Sequence, residues 1–428
     1  MNGPLCMSIA FVACMLIGVP IPWSAGIATV VGLYIIDIPF TLLSQTAYNA
    51  FESFPLMTIP LFVLAGQLME RGGMSEHLIQ IARKMVGSLR GGTSLVTIVS
   101  CGLFAALTGS GPATTAAIGS ITIPAMVEEG YTRKFASGIS ASAGALGSII
   151  PPSNLLIIYA LIAEESVPKL FLAGLVPGFM VIFFLIVAST TVCKMNGFGD
   201  RTDDDFAFRP LLSALWEGKW AIGAPLIILG GIYSGIFTPT EASAVAVFYG
   251  LFVGTVIYGK LTVSHVIESL KFTTTMVGSV LVILGSTKAF GQLVAFYDIP
   301  LAVQGFFSTL TDNPFTVLML ISFLYILAGM WMESIPQVVI FTAVLLPVVK
   351  SMGVDPIFFG VLTVLTCEVG FLTPPIGVNL FVSSRIAGIS LEESSIGVLP
   401  FVLPYIATIT ILCAAPRLTT GVVEFFFR

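Results

Sequence analysis

The sequence is short of charge. Only 10% of its 428 residues are Asp, Glu, Lys or Arg, whereas soluble domains carry about 25%. Hydrophobic residues make up 56% of the chain, and the mean hydropathy is +1.01. A soluble fold cannot hide so large an apolar fraction from water. The composition therefore predicts a protein of the lipid bilayer.

Other ingredients of common active sites are scarce as well. Two histidines leave little material for histidine-based catalysis, and the six cysteines form no CxxC pair of the kind that binds zinc. The net charge of −5 excludes a basic nucleic-acid-binding protein. No GxxxxGK[ST] motif occurs, which argues against ATP binding through a P-loop. We expect no enzyme, no cofactor, no transition metal and no nucleic-acid partner.

Long apolar stretches fill most of the chain. Two of them, 94–126 and 316–349, are interrupted by Gly109-Ser110-Gly111-Pro112 and by Glu333-Ser334-Ile335-Pro336. Because each half is too short to cross a bilayer comfortably, we predict two re-entrant helical hairpins. The remaining stretches approach the length of a span and lie at 5–19, 22–36, 54–69, 135–162, 170–193, 220–236, 241–258, 273–296, 357–384 and 394–415.

Glycine and proline positions repeat along the chain at an offset of 223 residues. Because more glycine and proline positions coincide at this offset than random placement would give, we predict two structural repeats. The coinciding positions are Pro124 and Pro347, Gly130 and Gly353, Gly147 and Gly370, Pro151-Pro152 and Pro374-Pro375, Gly174 and Gly397, and Pro177 and Pro400.

The predicted domains follow from this repeat. The first repeat, 1–193, contains the hairpin 94–126 and the broken span 135–162. The second repeat, 220–428, contains the hairpin 316–349 and the broken span 357–384. The hydrophilic stretch 194–219 between them is the predicted cytoplasmic linker.

Charge predicts how the two repeats are oriented. Each repeat has an odd number of full crossings, so the second enters the membrane upside down relative to the first. The polar arm at 70–92 carries four basic residues, whereas the equivalent arm at 297–314 carries two aspartates and no basic residue. The positive-inside rule places the first arm in the cytoplasm and the second outside. Both termini then lie on the outer side.

Inverted repeats with paired hairpins and Gly/Pro-broken spans are typical of secondary transporters. Broken helices expose backbone carbonyls, which coordinate cations, and helix N-termini, which attract anions. The breaks offer hydroxyls, amides and carbonyls, which are neutral hard ligands that suit sodium. A proton relay needs several carboxylates or histidines within the membrane, and few are present. We therefore predict a transporter driven by a sodium gradient.

Three stretches make the sequence resemble the large membrane subunit of tripartite ATP-independent periplasmic (TRAP) transporters. They are IPLFVLAG at 59–66, GIFTPTEA at 235–242 and LTPPIGVNLF at 372–381, and IPPS at 150–153 fits as well. The resemblance covers essentially the full length, and it extends to the sialic acid type within the family.

The resemblance implies a sodium-driven importer of an organic acid in a bacterial inner membrane, with both termini periplasmic. It implies an elevator mechanism, in which a transport domain with both hairpins slides against a scaffold. It also implies two protein partners besides membrane lipids. One is a small four-helix membrane subunit, expected as a separate chain because no extra helices precede the first repeat. The other is a soluble periplasmic protein that delivers the substrate, with sialic acid favoured.

The same resemblance places sodium ligands at the hairpin tips and the facing broken spans. The first site is expected at Gly109, Ser110, Gly111, Ser153 and Asn154. The second is expected at Glu333, Ser334, Gly370, Thr373, Gly377 and Asn379. The substrate is expected between the tips, near Ser110, Pro152, Ser334, Pro375 and Arg385.

The sequence leaves two alternative functions possible and does not assign a role to three residues. A stand-alone sodium-coupled carrier of di- or tricarboxylates would share the two-hairpin plan, and hairpins also build ion channels. A co-purifying four-helix subunit and a binding protein would distinguish the tripartite system from both. The roles of Glu241, Lys288 and Glu368 are not assigned.

Overall fold

The computed structural model describes residues 3–52, 54–86, 89–199, 208–311 and 313–427. These residues form helices joined by short connections, and no strand occurs among them. The all-α class predicted from the sequence is confirmed.

Eleven α-helices precede the central connection. They are α1 (Gly3–Leu16), α2 (Ile21–Ile35), α3 (Thr41–Phe51), α4 (Thr58–Arg71), α5 (Met74–Val86), α6 (Gly92–Thr108), α7 (Gly111–Glu128), α8 (Arg133–Gly144), α9 (Leu146–Ile149), α10 (Asn154–Ala163) and α11 (Val167–Asn196).

Eleven more α-helices follow it in the described part of the chain. They are α12 (Phe208–Glu217), α13 (Lys219–Tyr233), α14 (Pro239–Phe252), α15 (Val263–Phe296), α16 (Ile299–Leu310), α17 (Pro314–Gly329), α18 (Ser334–Ser351), α19 (Pro356–Phe371), α20 (Val378–Ala387), α21 (Leu391–Ala414) and α22 (Arg417–Phe426).

Length and composition identify the membrane-crossing helices. Within the described ranges, five helices are long and apolar enough to cross a bilayer, and up to nine spans result if each bent pair counts as one. The five are α11, α14 with its π-helical extension to Ile257, α15, α18 and α21. Apolar side chains remain exposed along these helices, for example Phe179 and Phe183 on α11. Such a surface suits contact with lipid acyl chains.

The two predicted hairpins correspond to helix pairs with short breaks. Helices α6 and α7 are joined by Gly109 and Ser110, and α17 and α18 are joined by residues 330–333. We expected the second break at 333–336, but α18 already begins at Ser334. Pro336 therefore lies in the first helical turn, where its missing N–H removes no intrahelical hydrogen bond.

The two predicted broken spans are also interrupted in the structure. Residues 150–153 separate α9 from α10, and the two arms of this span differ in direction by 41°. Residues 372–377 separate α19 from α20. The Pro151–Pro152 and Pro374–Pro375 peptide bonds, one in each break, are both cis.

The predicted linker, 194–219, contains helical structure at both ends. Helix α11 continues to Asn196, and α12 occupies most of the C-terminal part. Residues 200–207 of this linker lie outside the described residues. Helix α12 packs on α5, where Ala214 is buried and Gly218 contacts the side chain of Ile81. The sequence of α12 is amphipathic, and its apolar side packs against the rest of the protein.

Helix α8 of the first repeat packs closely on α21 of the second. A Cβ atom on Gly138 would lie only 2.2 Å from the carbonyl oxygen of Gly397. Beside this contact, the hydroxyl of Ser137 forms hydrogen bonds with those of Ser383 (2.9 Å) and Ser394 (2.7 Å). Small residues allow the backbones to approach, and the hydroxyls satisfy one another away from water.

We expect Gly138→Ala to lower the free energy of unfolding by about 1–3 kcal/mol, because the new methyl group overpacks the α8–α21 contact. Gly230→Ala is the matched control, since no atom lies within 4 Å of a Cβ there. Thermal unfolding of the purified protein in detergent compares the two. Equal midpoints for both variants would contradict the close contact.

Candidate functional site

A cavity of about 290 Å³ lies where the hairpin tips meet the broken spans. Four helices begin at its wall: α7 after Ser110, α10 at Asn154, α18 at Ser334 and α20 at Val378. The long helix α15 forms the opposite side, with Met276, Ser279, Val280 and Ile283. The cavity therefore lies between the broken elements of both repeats and one continuous helix.

Backbone geometry fixes the first hairpin tip against the first broken span. The N–H of Asn154 donates to the carbonyl of Gly109 at 3.3 Å, and the N–H of Gly111 donates to Oγ of Ser148 at 2.9 Å. Gly109 is left-handed, with φ +62°, and a Cβ there would lie 2.7 Å from the carbonyl oxygen of Pro152. Only glycine fits this position without displacement.

Ser153 and Asn154, both predicted sodium ligands, have different environments. The Ser153 hydroxyl accepts from the N–H of Leu156 at 3.3 Å and donates to the carbonyl of Ser148, so it caps α10. Asn154 is 4% exposed, yet neither polar atom of its side-chain amide has a hydrogen-bond partner in the described part of the chain. Of these two residues, Asn154 is therefore the one whose side-chain amide could bind an ion.

The second tip places Glu333 and Ser334 together on the cavity wall. Glu333 is exposed, whereas Ser334 is buried and its hydroxyl has no hydrogen-bond partner among the described residues. The N–H of Ile376 donates to the carbonyl of Met330 at 3.2 Å. This bond joins the second tip to the second broken span, as the Asn154–Gly109 bond does in the first repeat.

The remaining predicted sodium ligands of the second site have mainly structural contacts. Gly370 packs on α17, where a Cβ would lie 2.6 Å from the Cα of Gly329. The Thr373 hydroxyl donates to the carbonyl of Val369 at 2.7 Å. Gly377 precedes α20 with φ +42°. The carbonyl groups of this turn remain the ligands that a cation could use.

The side chain of Asn379, predicted for the second sodium site, lies beside Gly111 of the first tip. It is fully buried, and its Nδ2 donates to Oε2 of Glu368 at 3.3 Å. A Cβ on Gly111 would lie 3.3 Å from Oδ1 of Asn379. Helix α20 packs against α7 and α8 of the first repeat, which carries Asn379 to that side.

The predicted substrate residues fall into two groups. Ser110 and Ser334 line the cavity, whereas Pro152, Pro375 and Arg385 are not among its lining residues. Arg385 is exposed in the last turn of α20 and stacks over the ring of Phe381, 4.9 Å from its centroid. Seven residues of helix separate it from the start of α20, about 10 Å along the axis.

Glu368 is a cavity residue that the sequence analysis left unassigned. It lies in the last turn of α19, where it is the only charged residue of that helix, and its side chain is completely buried. An ionisable residue within a span is by itself a signal of function. Of the other unassigned residues, Glu241 forms a capping box with Thr238, and Lys288 lies on the exposed face of α15.

The charge of the cavity wall is entirely acidic. Glu333 and Glu368 line it, and no Lys, Arg or His does so within the described ranges. The positive potential available to an anion comes from the four helix N-termini, each equivalent to roughly half an elementary charge. Neutral oxygens of Ser110, Ser148, Ser279 and Ser334 complete the polar wall.

A family model described as "Tripartite ATP-independent periplasmic transporter, DctM component" matches residues 8–418. The isethionate TRAP transporter permease protein DctMQ of Oleidesulfovibrio alaskensis is 39% identical over 95% of this chain, and the chain spans 64% of that relative. The C4-dicarboxylate TRAP transporter large permease protein DctM of Rhodobacter capsulatus is 34% identical over 95% of this chain and 96% of its own length.

Two further matches extend this comparison. The sialic acid TRAP transporter large permease protein SiaM of Vibrio cholerae is 35% identical over 90% of this chain and 89% of its own length. The crystal structure of the YdaH transporter of Alcanivorax borkumensis superposes with a TM-score of 0.62 at 14% identity, covering 91% of this chain and 89% of that protein. The latter likeness concerns the fold alone.

We expect Gly109→Ala to destabilise the protein more than Gly130→Ala. Both glycines have positive φ, so alanine costs about 1–2 kcal/mol at either position. Only Gly109 meets a backbone oxygen, whereas no atom lies within 4 Å of a Cβ on Gly130. The difference in thermal unfolding midpoint measures the tip contact. Identical midpoints would show that the tip does not rest on Pro152.

Proposed function

The chain belongs to the DctM family of tripartite ATP-independent periplasmic transporter components, and on this premise we propose that it is the large permease of a sodium-coupled importer of a small organic acid. It moves its substrate across the membrane chemically unchanged. The convergence of four helix N-termini on one cavity carries the proposal. Helix N-termini bind carboxylate and related oxyanions through backbone N–H groups and the helix dipole.

The acidic wall explains why cations should accompany the substrate. An organic acid that enters the cavity meets the exposed carboxylate of Glu333 and, whenever it is ionised, that of Glu368, and like charges repel. Bound sodium ions would offset this repulsion and would make substrate affinity depend on sodium. This dependence is the physical basis of symport, since each ligand raises the affinity for the other.

We propose the same sodium ligands as those predicted from the sequence. The first site uses the turn at Gly109, Ser110 and Gly111 with the neighbouring break at Ser153 and Asn154, where the unpartnered Asn154 amide supports a ligand role. The second site uses the second tip and the carbonyl-rich turn facing it. Its members are Glu333, Ser334, Gly370, Thr373, Gly377 and Asn379. Asn379 is the weakest member of this set because its side chain faces Gly111.

The substrate is proposed to lie between Ser110 and Ser334, which face the same cavity. Pro152 and Pro375 would act by shaping the two breaks, because neither lines the cavity. Arg385 would act at the far end of α20, as a surface charge that attracts or releases the acid. This division follows from the contacts described above.

We further propose that the molecule works as an elevator built from two inverted repeats. Each tip is bonded through its backbone to the broken span of its own repeat, and α8 is packed against α20 and α21. These elements would move as one body past α15, which is continuous over 34 residues and forms the opposite cavity wall. The substrate would travel with the moving body.

The proposed setting is a bacterial inner membrane, with both termini in the periplasm. The proposed partners are a small four-helix membrane subunit and a periplasmic binding protein. The relatives' names give isethionate, C4-dicarboxylate and sialic acid as substrates of those proteins. All three are small organic anions, which is the class that the cavity fits. Sialic acid remains the substrate predicted from the resemblance.

Uptake into proteoliposomes tests this function. The chain is reconstituted with its small subunit, and labelled sialic acid, isethionate and succinate are offered with or without the binding protein. We expect uptake of one acid to require both an inward sodium gradient and the binding protein. Uptake without the binding protein would instead indicate a stand-alone carrier, and passive conductance without accumulation would indicate a channel.

We expect Ser334→Phe to reduce sodium-driven uptake about tenfold or more, because the ring fills the cavity between the tips. Ser213→Phe is the matched control, since Ser213 is exposed on α12 and contacts only Glu217 through its hydroxyl. Initial rates at equal protein density measure the effect. Wild-type uptake by Ser334→Phe would remove Ser334 from the substrate path.

A further inference from the structure

Glu368 is a carboxyl group buried completely within the helical body. Its Oε2 accepts a hydrogen bond from Nδ2 of Asn379 at 3.3 Å, and its Oε1 has no hydrogen-bond partner among the residues that the structure describes. No Lys, Arg or His lies within ion-pair distance of it in the part of the chain that the structure describes. An ionised carboxylate without a partner costs several kcal/mol or more of desolvation in such surroundings, so Glu368 either holds a proton or is paired with a cation.

The atoms around Glu368 are those that a monovalent cation requires. Oδ1 of Asn379 is fully buried and also lacks a partner, and it belongs to the residue that already contacts the carboxylate. The unpartnered amide of Asn154 lines the same cavity as Glu368. One carboxylate and neutral oxygens balance a single positive charge, whereas Mg²⁺ and Ca²⁺ sites draw on several anionic or phosphate oxygens.

We propose that Glu368 is the anionic ligand of an additional sodium ion, held by Oε1 of Glu368 and Oδ1 of Asn379. Water or the Asn154 amide from the cavity completes its coordination. Glu368 belongs to neither of the two predicted hairpin sites, and this ion position takes Asn379 away from the second of them, because its side chain contacts Glu368. The inference rests on the proposed function, which supplies sodium as the coupling ion.

Because of where this carboxylate lies, the ion would also affect how the neighbouring helices pack. Glu368 and Asn379 belong to the second repeat, but a Cβ on Gly111 of the first repeat would lie only 2.8 Å from Oε2 of Glu368. An ion held by Glu368 and Asn379 joins α19 to α20 next to the start of α7. Its binding therefore stabilises this junction, in addition to carrying one charge through each transport cycle.

Sodium binding to the purified complex tests this site without relying on transport. The number of ²²Na⁺ ions bound at saturation is measured for the wild type, Glu368→Gln and Glu241→Gln. We expect Glu368→Gln to bind one ion fewer than the wild type. Glu241→Gln is the matched control, because Glu241 is exposed and glutamine can replace glutamate in a capping box. An unchanged count in Glu368→Gln would overturn the proposal.

A second variant keeps the test decisive if Glu368→Gln does not fold. Glu368→Asp keeps the charge but withdraws it by one methylene group. We expect the wild-type ion count, with half-saturation of one ion shifted to about tenfold higher sodium concentration. The same shift should appear in the sodium dependence of the unfolding temperature. A binding curve identical to that of the wild type would refute a ligand role.

Transport measurements separate this inference from the proposed function. The reversal potential of sodium-driven uptake gives the charge moved per substrate, which we expect to fall by one in Glu368→Gln. If Glu368→Gln keeps its sodium count but loses the pH dependence of uptake, the carboxyl carries a proton and the sodium proposal fails. If the wild type neither binds sodium nor uses its gradient, the proposed function itself fails.

Discussion

The structure depends on satisfying backbone groups where helices are interrupted inside the bilayer. A helix end in hydrocarbon leaves N–H and C=O groups without partners, and water is not available to replace them. Here each interrupted element supplies the partner of another. The Asn154–Gly109 and Ile376–Met330 bonds join each tip to its broken span. The breaks are therefore tolerated only because they occur in pairs that face each other.

Close backbone contacts follow from this constraint. A hydrogen bond between two chain breaks requires the backbones to meet, and any side chain between them would prevent it. Gly109 therefore lies against the carbonyl of Pro152, and Gly370 lies against Gly329. Helices α8 and α21 also approach closely because Gly138 and Gly397 have no side chains at their contact. These contacts make the broken elements one packed body, which is a requirement for any movement past α15 as a unit.

The sequence reveals the interrupted elements well because their signal is local. Glycine, proline and hydroxyl residues within apolar stretches predict the positions of the four helix breaks within a few residues. The break between α17 and α18 is predicted less accurately, since a proline in the first turn of a helix resembles a helix breaker. Which ligands meet was harder to predict, because packing between distant helices decides it. Asn379 reaches the first tip for this reason, whereas Ser153 caps α10 through contacts that are local in the sequence.

Glu368 shows how burial and charge connect the fold to transport. The four helix N-termini favour an anion in the cavity, while Glu333 and Glu368 oppose one. Within the described residues no basic side chain of the cavity wall resolves this conflict. Soluble ions can resolve it, and they do so reversibly, whereas a fixed arginine would hold the acid on both sides of the membrane. A wall of this composition would make anion binding conditional on cations, which is the condition that the proposed sodium-driven importer needs.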